Sequence, residues 1–165
     1  METFFASCPR GLEHLLLEDL AAAGARDRQQ ILGGVHFVAD WPACYRANLH
    51  SRIATRILWR VAQAPYGNEE DIYRLALETP WPSWFVAEQT IRVDVNAVKS
   101  PLKSLEFVTL RIKDAICDRF RRDTGQRPSV DTRQPDVRVH GFITKDDCTL
   151  YLDTSGAPLY QRGFR

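Results

Sequence analysis

Two periods alternate along the chain and divide it into strands and helices. Thr3 to Ser7 is a short apolar run closed by Cys8-Pro9, and it predicts a strand. From Gly11 to Ala23 the period becomes helical. Leu12, Leu15, Leu16, Leu20 and Ala23 share one face, and Gly24 ends the helix. Residues 29–38 read as a strand interrupted by Gly33-Gly34, with Val35 and Phe37 alternating against His36 and Val38, so a hairpin turn or a bulge is expected at the glycines. Asp40-Trp41-Pro42 supplies an N-cap and starts a second helix.

The stretch YRANLHSRIATRILWRVAQAP has two readings. As one helix it aligns Tyr45, Leu49, Ile53 and Ile57. As a helix followed by a strand it sets Ile57, Trp59 and Val61 against Arg56 and Arg60. The second is favoured, because it gives the first 64 residues the order strand, helix, strand, strand, helix, strand. That is the order of a ferredoxin-like unit with both helices on one face of a small sheet.

Tyr66-Gly67-Asn68 marks the junction to a second unit. Asn68 can cap a helix whose first turn carries Glu69, Glu70 and Asp71, with Ile72, Leu75 and Ala76 as its apolar stripe. Pro80-Trp81-Pro82 stops it, and Trp84 and Phe85 are expected to anchor the next turn in the core. A strand follows over residues 89–98, where Ile91, Val93 and Val95 alternate with Arg92, Asp94 and Asn96. Ser100-Pro101 then reads as cap and first helical residue, with Ser104 as an alternative cap. The long helix beyond should bury Leu105, Val108, Ile112, Ala115 and Ile116 and stop near Gly125. Residues 137–144 and 149–153 predict a closing hairpin around Lys145-Asp146-Asp147. The whole is an α+β chain, with units at 1–65 and 66–155 and a tail at 156–165.

Composition changes this picture little. With 44% hydrophobic and 26% charged residues in 165, the chain is expected to form stably folded domains and to stay in the cytoplasm, with no signal peptide or membrane span. Cys8, Cys44, Cys117 and Cys148 form no Cys-x-x-Cys pair and read as free, buried thiols, with no metal site expected. Charge is more informative. The net value is +1, but residues 67–98 hold two basic against six acidic residues, and residues 99–165 hold thirteen against nine. Segregation of this kind suits an anionic partner or a solvated charged face.

The sequence shows no phosphate-cradling glycine loop, because Gly33-Gly34 leads into a strand, and no Gly-x-Ser-x-Gly elbow. Asp131 and Asp136 flank Pro135 and suit turns better than a catalytic pair. No catalytic, cofactor or metal residue is identified. A basic constellation remains. Lys99 and Lys103 precede the long helix, whose N-terminus itself attracts phosphate. Arg111, Lys113, Arg121 and Arg122 continue along it, and Arg127, Arg133 and Arg138 follow. The candidate nucleic-acid contacts are Lys99, Lys103, Arg111, Lys113, Arg121, Arg133 and Arg138.

These segments also carry a resemblance. SCPRGLEHLLLEDLAAAGA followed by GGVHF, then RIKDAICDRFR, RPSVDTRQPDVRV and LDTSGAPLYQRGFR, resemble in order the segments of THUMP-containing bacterial RNA methylases, notably the large-subunit rRNA guanine-N2-methyltransferase family. The resemblance implies a ferredoxin-like N-terminal domain, then a THUMP domain that holds structured RNA, with Lys99, Lys103, Lys113, Arg133 and Arg138 in the RNA-facing portion. It further implies a Rossmann-like methyltransferase domain following in the same polypeptide and using S-adenosylmethionine. This chain has neither that domain's glycine-rich loop nor an Asn-Pro-Pro-Tyr segment. Residues 156–165, with Leu159, Tyr160, Arg162, Phe164 and Arg165, resemble the link leading into it. The alternatives are a stand-alone THUMP-type module, an adaptor, a relative from a sulfur-transfer system, or a ferredoxin-like protein-interaction domain.

Overall fold

Strand β1 (Glu2–Ser7) buries Phe4 and Ala6 and turns Thr3, Phe5 and Ser7 to its other face, the period-2 arrangement of a sheet covered on one side. In the computed structural model, which describes residues 1–155, two units are distinguished. Among the described residues, one comprises Met1–Arg60 together with residues 153–155; the other is Val61–Leu152. Each builds its own core.

In the first unit, α1 (Glu13–Ala23), β2 (Arg26–Ile31), β3 (Gly34–Ala39), α2 (Trp41–His50) and the start of β4 (Arg56–Pro65) follow β1. The strand order is β2-β3-β1-β4, antiparallel throughout the first unit's register, as a ferredoxin-like unit requires. Register pairs Phe4 with Phe37 on one side and with Trp59 on the other, so one face stacks Phe4 on Phe37 at 5.3 Å and sets Trp41 of α2 edge-on against Phe4. Leu16 and Leu20 of α1 and Ala43, Cys44 and Ala47 of α2 are buried, and both helices pack together. Gly24 ends α1 at φ 102, and Asp40 accepts the Ala43 N–H at 2.8 Å, so both helix signals read from the sequence act as expected.

Two expectations change here. The strand before the glycine pair starts at Arg26, and all six of its residues are exposed. It is an edge strand with solvent on both faces, so it carries no alternation to read. Leu15 lies outside the buried stripe and is exposed, while Glu13 is buried beside it. Gly34 sits where β3 crosses β1 closely: a Cβ there would meet the Ala6 carbonyl oxygen at 2.3 Å.

The second unit contains the rest of β4, then α3 (Glu69–Glu78), β5 (Ile91–Ala97), α4 (Leu105–Thr124), β6 (Val137–Ile143) and β7 (Asp147–Asp153). Here β7 lies beside β4, and β6 lies between β7 and β5. β5 and β6 run parallel through the crossover helix α4, and β6 and β7 form the expected hairpin. Asn68 and Asp71 form a capping box for α3, each side chain bonding the other's backbone N–H. Trp81, Phe85, Ile112, Ile116 and Phe120 fill the core, with Phe85 and Phe120 rings 4.9 Å apart. Trp81 donates its indole N–H to the Ala76 carbonyl at 2.7 Å, which satisfies its one polar atom.

The long helix starts later than Ser100-Pro101 proposes. Ser104 is its cap, accepting from Phe107 N–H at 3.1 Å, while Ser100 turns its hydroxyl into the preceding loop. Leu105, expected in the core, is therefore at the exposed first position of α4. Among the described residues no helix is long and apolar enough to cross a membrane. The tail at 156–165 lies outside them.

Candidate nucleic-acid interface

The seven basic residues singled out by sequence fall into three groups. The first is the loop between β5 and α4. The last sheet bond runs from Val98 N–H to the Ile143 carbonyl, after which Lys99 adopts a left-handed backbone at φ 55. Ser100 then bonds the Tyr66 hydroxyl at 3.0 Å, Tyr66 donates to the Thr144 carbonyl at 2.6 Å, and Ser100 Oγ accepts Leu102 N–H. With Ser104 fixing the other end, the loop is held at both ends and carries Lys99 and Lys103 exposed on its surface. Neither lysine has an ion pair among the described residues. They stand at the N-terminus of a 20-residue helix, where oriented N–H groups favour an anion, with Glu106 in the same turn as a counter-charge.

The second group lies along α4 and is largely engaged within the unit. The Arg111 guanidinium contacts Glu70 at 2.7 Å and Asp114 at 3.5 Å and stacks 4.1 Å from the centre of the Tyr73 ring. Tyr73 in turn donates to Asp118, a bond that raises its own hydroxyl pKa. Only 22% of the Arg111 side chain is exposed, so it ties α3 to α4. Lys113 is paired with Asp114 at 2.9 Å. Arg121, in the last turn, is exposed.

The third group lies where β5 and β6 begin. Asp131 accepts the backbone N–H groups of Arg133 and Gln134, which hold its carboxyl below the usual range. Asp136 accepts from the Thr90 N–H and hydroxyl. Both aspartates thus shape the turn, as sequence suggested, and leave the exposed Arg133 and the half-buried Arg138 without a carboxylate partner among the described residues. Sequence reasoning missed Arg92, which stands in register with Arg138 on the neighbouring strand. The alternation of β5 did place Arg92 opposite the apolar face, and that was the available signal.

The groups do not converge on one spot. Lys99 and Lys103 follow the C-terminal end of β5, and Arg92, Arg133 and Arg138 gather near its start, about 20 Å away for a seven-residue strand. Two basic sites a strand's length apart on an α/β unit suit an extended anion better than a small one.

A βαβ unit with spaced exposed cations, following a ferredoxin-like unit in the chain, suits an anionic partner. Residues 66–153 match the model of the THUMP domain, and the chain belongs to that family; residues 3–58 match the RlmL ferredoxin-like domain. The chain is 38% identical over 162 residues to a ribosomal RNA large subunit methyltransferase K/L from Syntrophotalea carbinolica, covering 98% of this chain and the N-terminal 23% of that protein. It therefore spans less than a quarter of this relative's length. Among solved structures it is similar to a predicted N6-adenine-specific DNA methylase from Listeria monocytogenes, at 28% identity and a TM-score of 0.79 over 94% of this chain and 41% of that one. It is also similar to TrmN from Thermus thermophilus, at 25% identity and a TM-score of 0.73 over 98% of this chain and 48% of that one.

Proposed function

We propose that this chain is the substrate-holding part of an S-adenosylmethionine-dependent methyltransferase that modifies large-subunit rRNA at guanine N2, and that it is catalytically silent alone. In this reading residues 1–65 form the ferredoxin-like domain, residues 66–155 grip structured RNA, and residues 156–165 lead to the methyltransferase domain in the same cytoplasmic polypeptide. The observation that carries it is the exposed pair Lys99 and Lys103, held without carboxylate partners among the described residues at the start of α4 within a THUMP domain. Lys113, Arg121, Arg133 and Arg138 extend the contact. Recognition would proceed through phosphates and RNA shape more than base edges.

The test is binding of folded rRNA hairpins by fluorescence anisotropy over a salt series. Affinity is expected to fall steeply with salt, and replacement of Lys99 and Lys103 by glutamate should weaken it at least tenfold at low salt. Wild-type affinity no better than that of a charge-matched control protein would end the reading.

A further inference from the structure

Parallel pairing places Arg92 of β5 directly beside Arg138 of β6, and neighbouring strands lie about 4.8 Å apart. Two like charges in that relation repel one another. The surroundings relieve this only in part. Arg92 is ion-paired and oriented, its Nε donating to Asp94 at 3.0 Å and a terminal nitrogen donating to the Thr132 carbonyl at 2.6 Å, so Arg133 and Arg138 carry the unbalanced charge. The second bond is to the residue immediately before the exposed Arg133. Asp131 and Asp136 are occupied by backbone N–H groups and the Thr90 hydroxyl. Arg133 and Arg138 keep their charges without an ion pair among the described residues, and the next inward position on the same face of β6 is His140 rather than a carboxylate.

We infer that Arg92, Arg133 and Arg138 form a clamp for the phosphodiester backbone of RNA, separate from the lysines before α4. Arg92 is the pre-oriented member, since its bonds to Asp94 and Thr132 hold the fork while leaving N–H groups free. Arg138, in register with it, and Arg133, next in the chain to Thr132, supply charge without an ion pair among the described residues. A phosphate between them accepts from several guanidinium donors and removes the repulsion that the free protein carries. This inference rests on the RNA-binding reading. It adds a second anchoring point about a strand's length from the first.

The arrangement sets opposite effects of one substitution on two measurements. In the full 165-residue chain, Arg138→Gln should leave the thermal midpoint of the free protein unchanged or slightly raised. The same variant should weaken binding of a fluorescein-labelled rRNA hairpin by about tenfold at low salt and reduce the slope of log K against log salt by about 1. Arg133→Gln should act alike, and the double variant should lose about 2 from the slope. Arg10→Gln, which removes one exposed charge from the first unit, is the control and should leave the slope intact. Wild-type binding with Arg138→Gln indistinguishable from Arg10→Gln overturns the clamp and spares the RNA-binding reading. A marked drop in thermal midpoint for Arg138→Gln overturns it too, by making the arginine structural. Absence of salt-dependent RNA binding by the wild type overturns both.

Discussion

The Glu13 carboxylate accepts the backbone N–H of Gly33, twenty residues further along the chain, at 2.8 Å, and that of Gly11 at the same distance. One buried side chain therefore fixes the entry to α1 and the tip of the β2–β3 hairpin together. The N–H of Gly33, then those of Gly11 and Glu13's own residue, hold its carboxyl below the usual range against the opposing effect of burial. A carboxylate whose pKa is lowered by folding contributes stability above its unfolded pKa and loses it as pH falls through the folded value. Glu13→Gln should lower the thermal midpoint at neutral pH, and the difference from wild type should shrink on acidification below about pH 4. Thermal scans across that range check it, and a difference independent of pH would mean that only shape matters at this position.

A second long-range tie closes the first unit with residues from the far end of the sequence. Thr154 donates both its N–H and its hydroxyl to the Ile57 carbonyl, at 2.9 and 2.7 Å, and accepts from Asn48 at 3.0 Å. Asp153 pairs with Arg56 next to it. Thr154→Val keeps the volume and removes a buried hydroxyl bonded to the Ile57 carbonyl, Asn48 and the Cys44 thiol, so it should cost about 1–2 kcal/mol in urea unfolding, with Thr154→Ser restoring most of it. A fragment ending before Asp153 should leave the first unit less resistant to proteolysis than the intact chain.

These two ties also mark the limit of what could be read from the chain. Each α-helix was legible, because caps at Asp40, Asn68 and Ser104 and stops at Gly24 and Gly125 are local chemistry, as was the hairpin at Gly33-Gly34; the short 3-10 turn over Trp81–Ser83 was not, because Pro80 and Pro82 read only as a stop. Ser104 prevailed over Ser100 because the Ser100 hydroxyl is drawn to Tyr66, a partner 34 residues away. Glu13 looked like one of the polar breaks in an apolar helix until Gly33 supplied its partner. The basic site was legible residue by residue but not as a grouping. Whether two arginines face one another depends on strand register, which placed Arg92 beside Arg138. Which of them is neutralised depends on carboxylates from other elements, which hold Arg111 and not Lys99.

The four cysteines are free and buried, and their burial raises every thiol pKa, that of Cys44 to about 11 and that of Cys148 to about 12. A thiol is reactive as thiolate, so at pH 8 the folded chain should react slowly with a disulfide reagent. Released chromophore should approach four equivalents only in denaturant, at a rate that follows unfolding. Rapid reaction of one thiol under native conditions would identify a locally opening segment, with Cys8 the least deeply buried of the four.

Arg111 and Arg138 should differ in kind, although both are arginines in the same basic half of the sequence. Arg111 holds Glu70 and lies over Tyr73, joining α3 to α4. An ion pair with a half-exposed Glu70 contributes up to about 1 kcal/mol and the ring contact about 0.5–1. Arg111→Met, which keeps the stem but not the charge, should therefore lower stability by about 1–2 kcal/mol in urea unfolding. Glu70→Gln should cost less, and the double variant should cost less than the sum of the two singles, because they remove one shared contact. Since Glu70 and Asp114 already balance the Arg111 charge, the salt slope of RNA binding should not change in Arg111→Met, whereas in Arg138→Gln it falls with no loss of stability. A slope lowered by about 1 in Arg111→Met would mean that RNA displaces Glu70 from Arg111, and that Arg111 joins Lys113 and Arg121 in the interface.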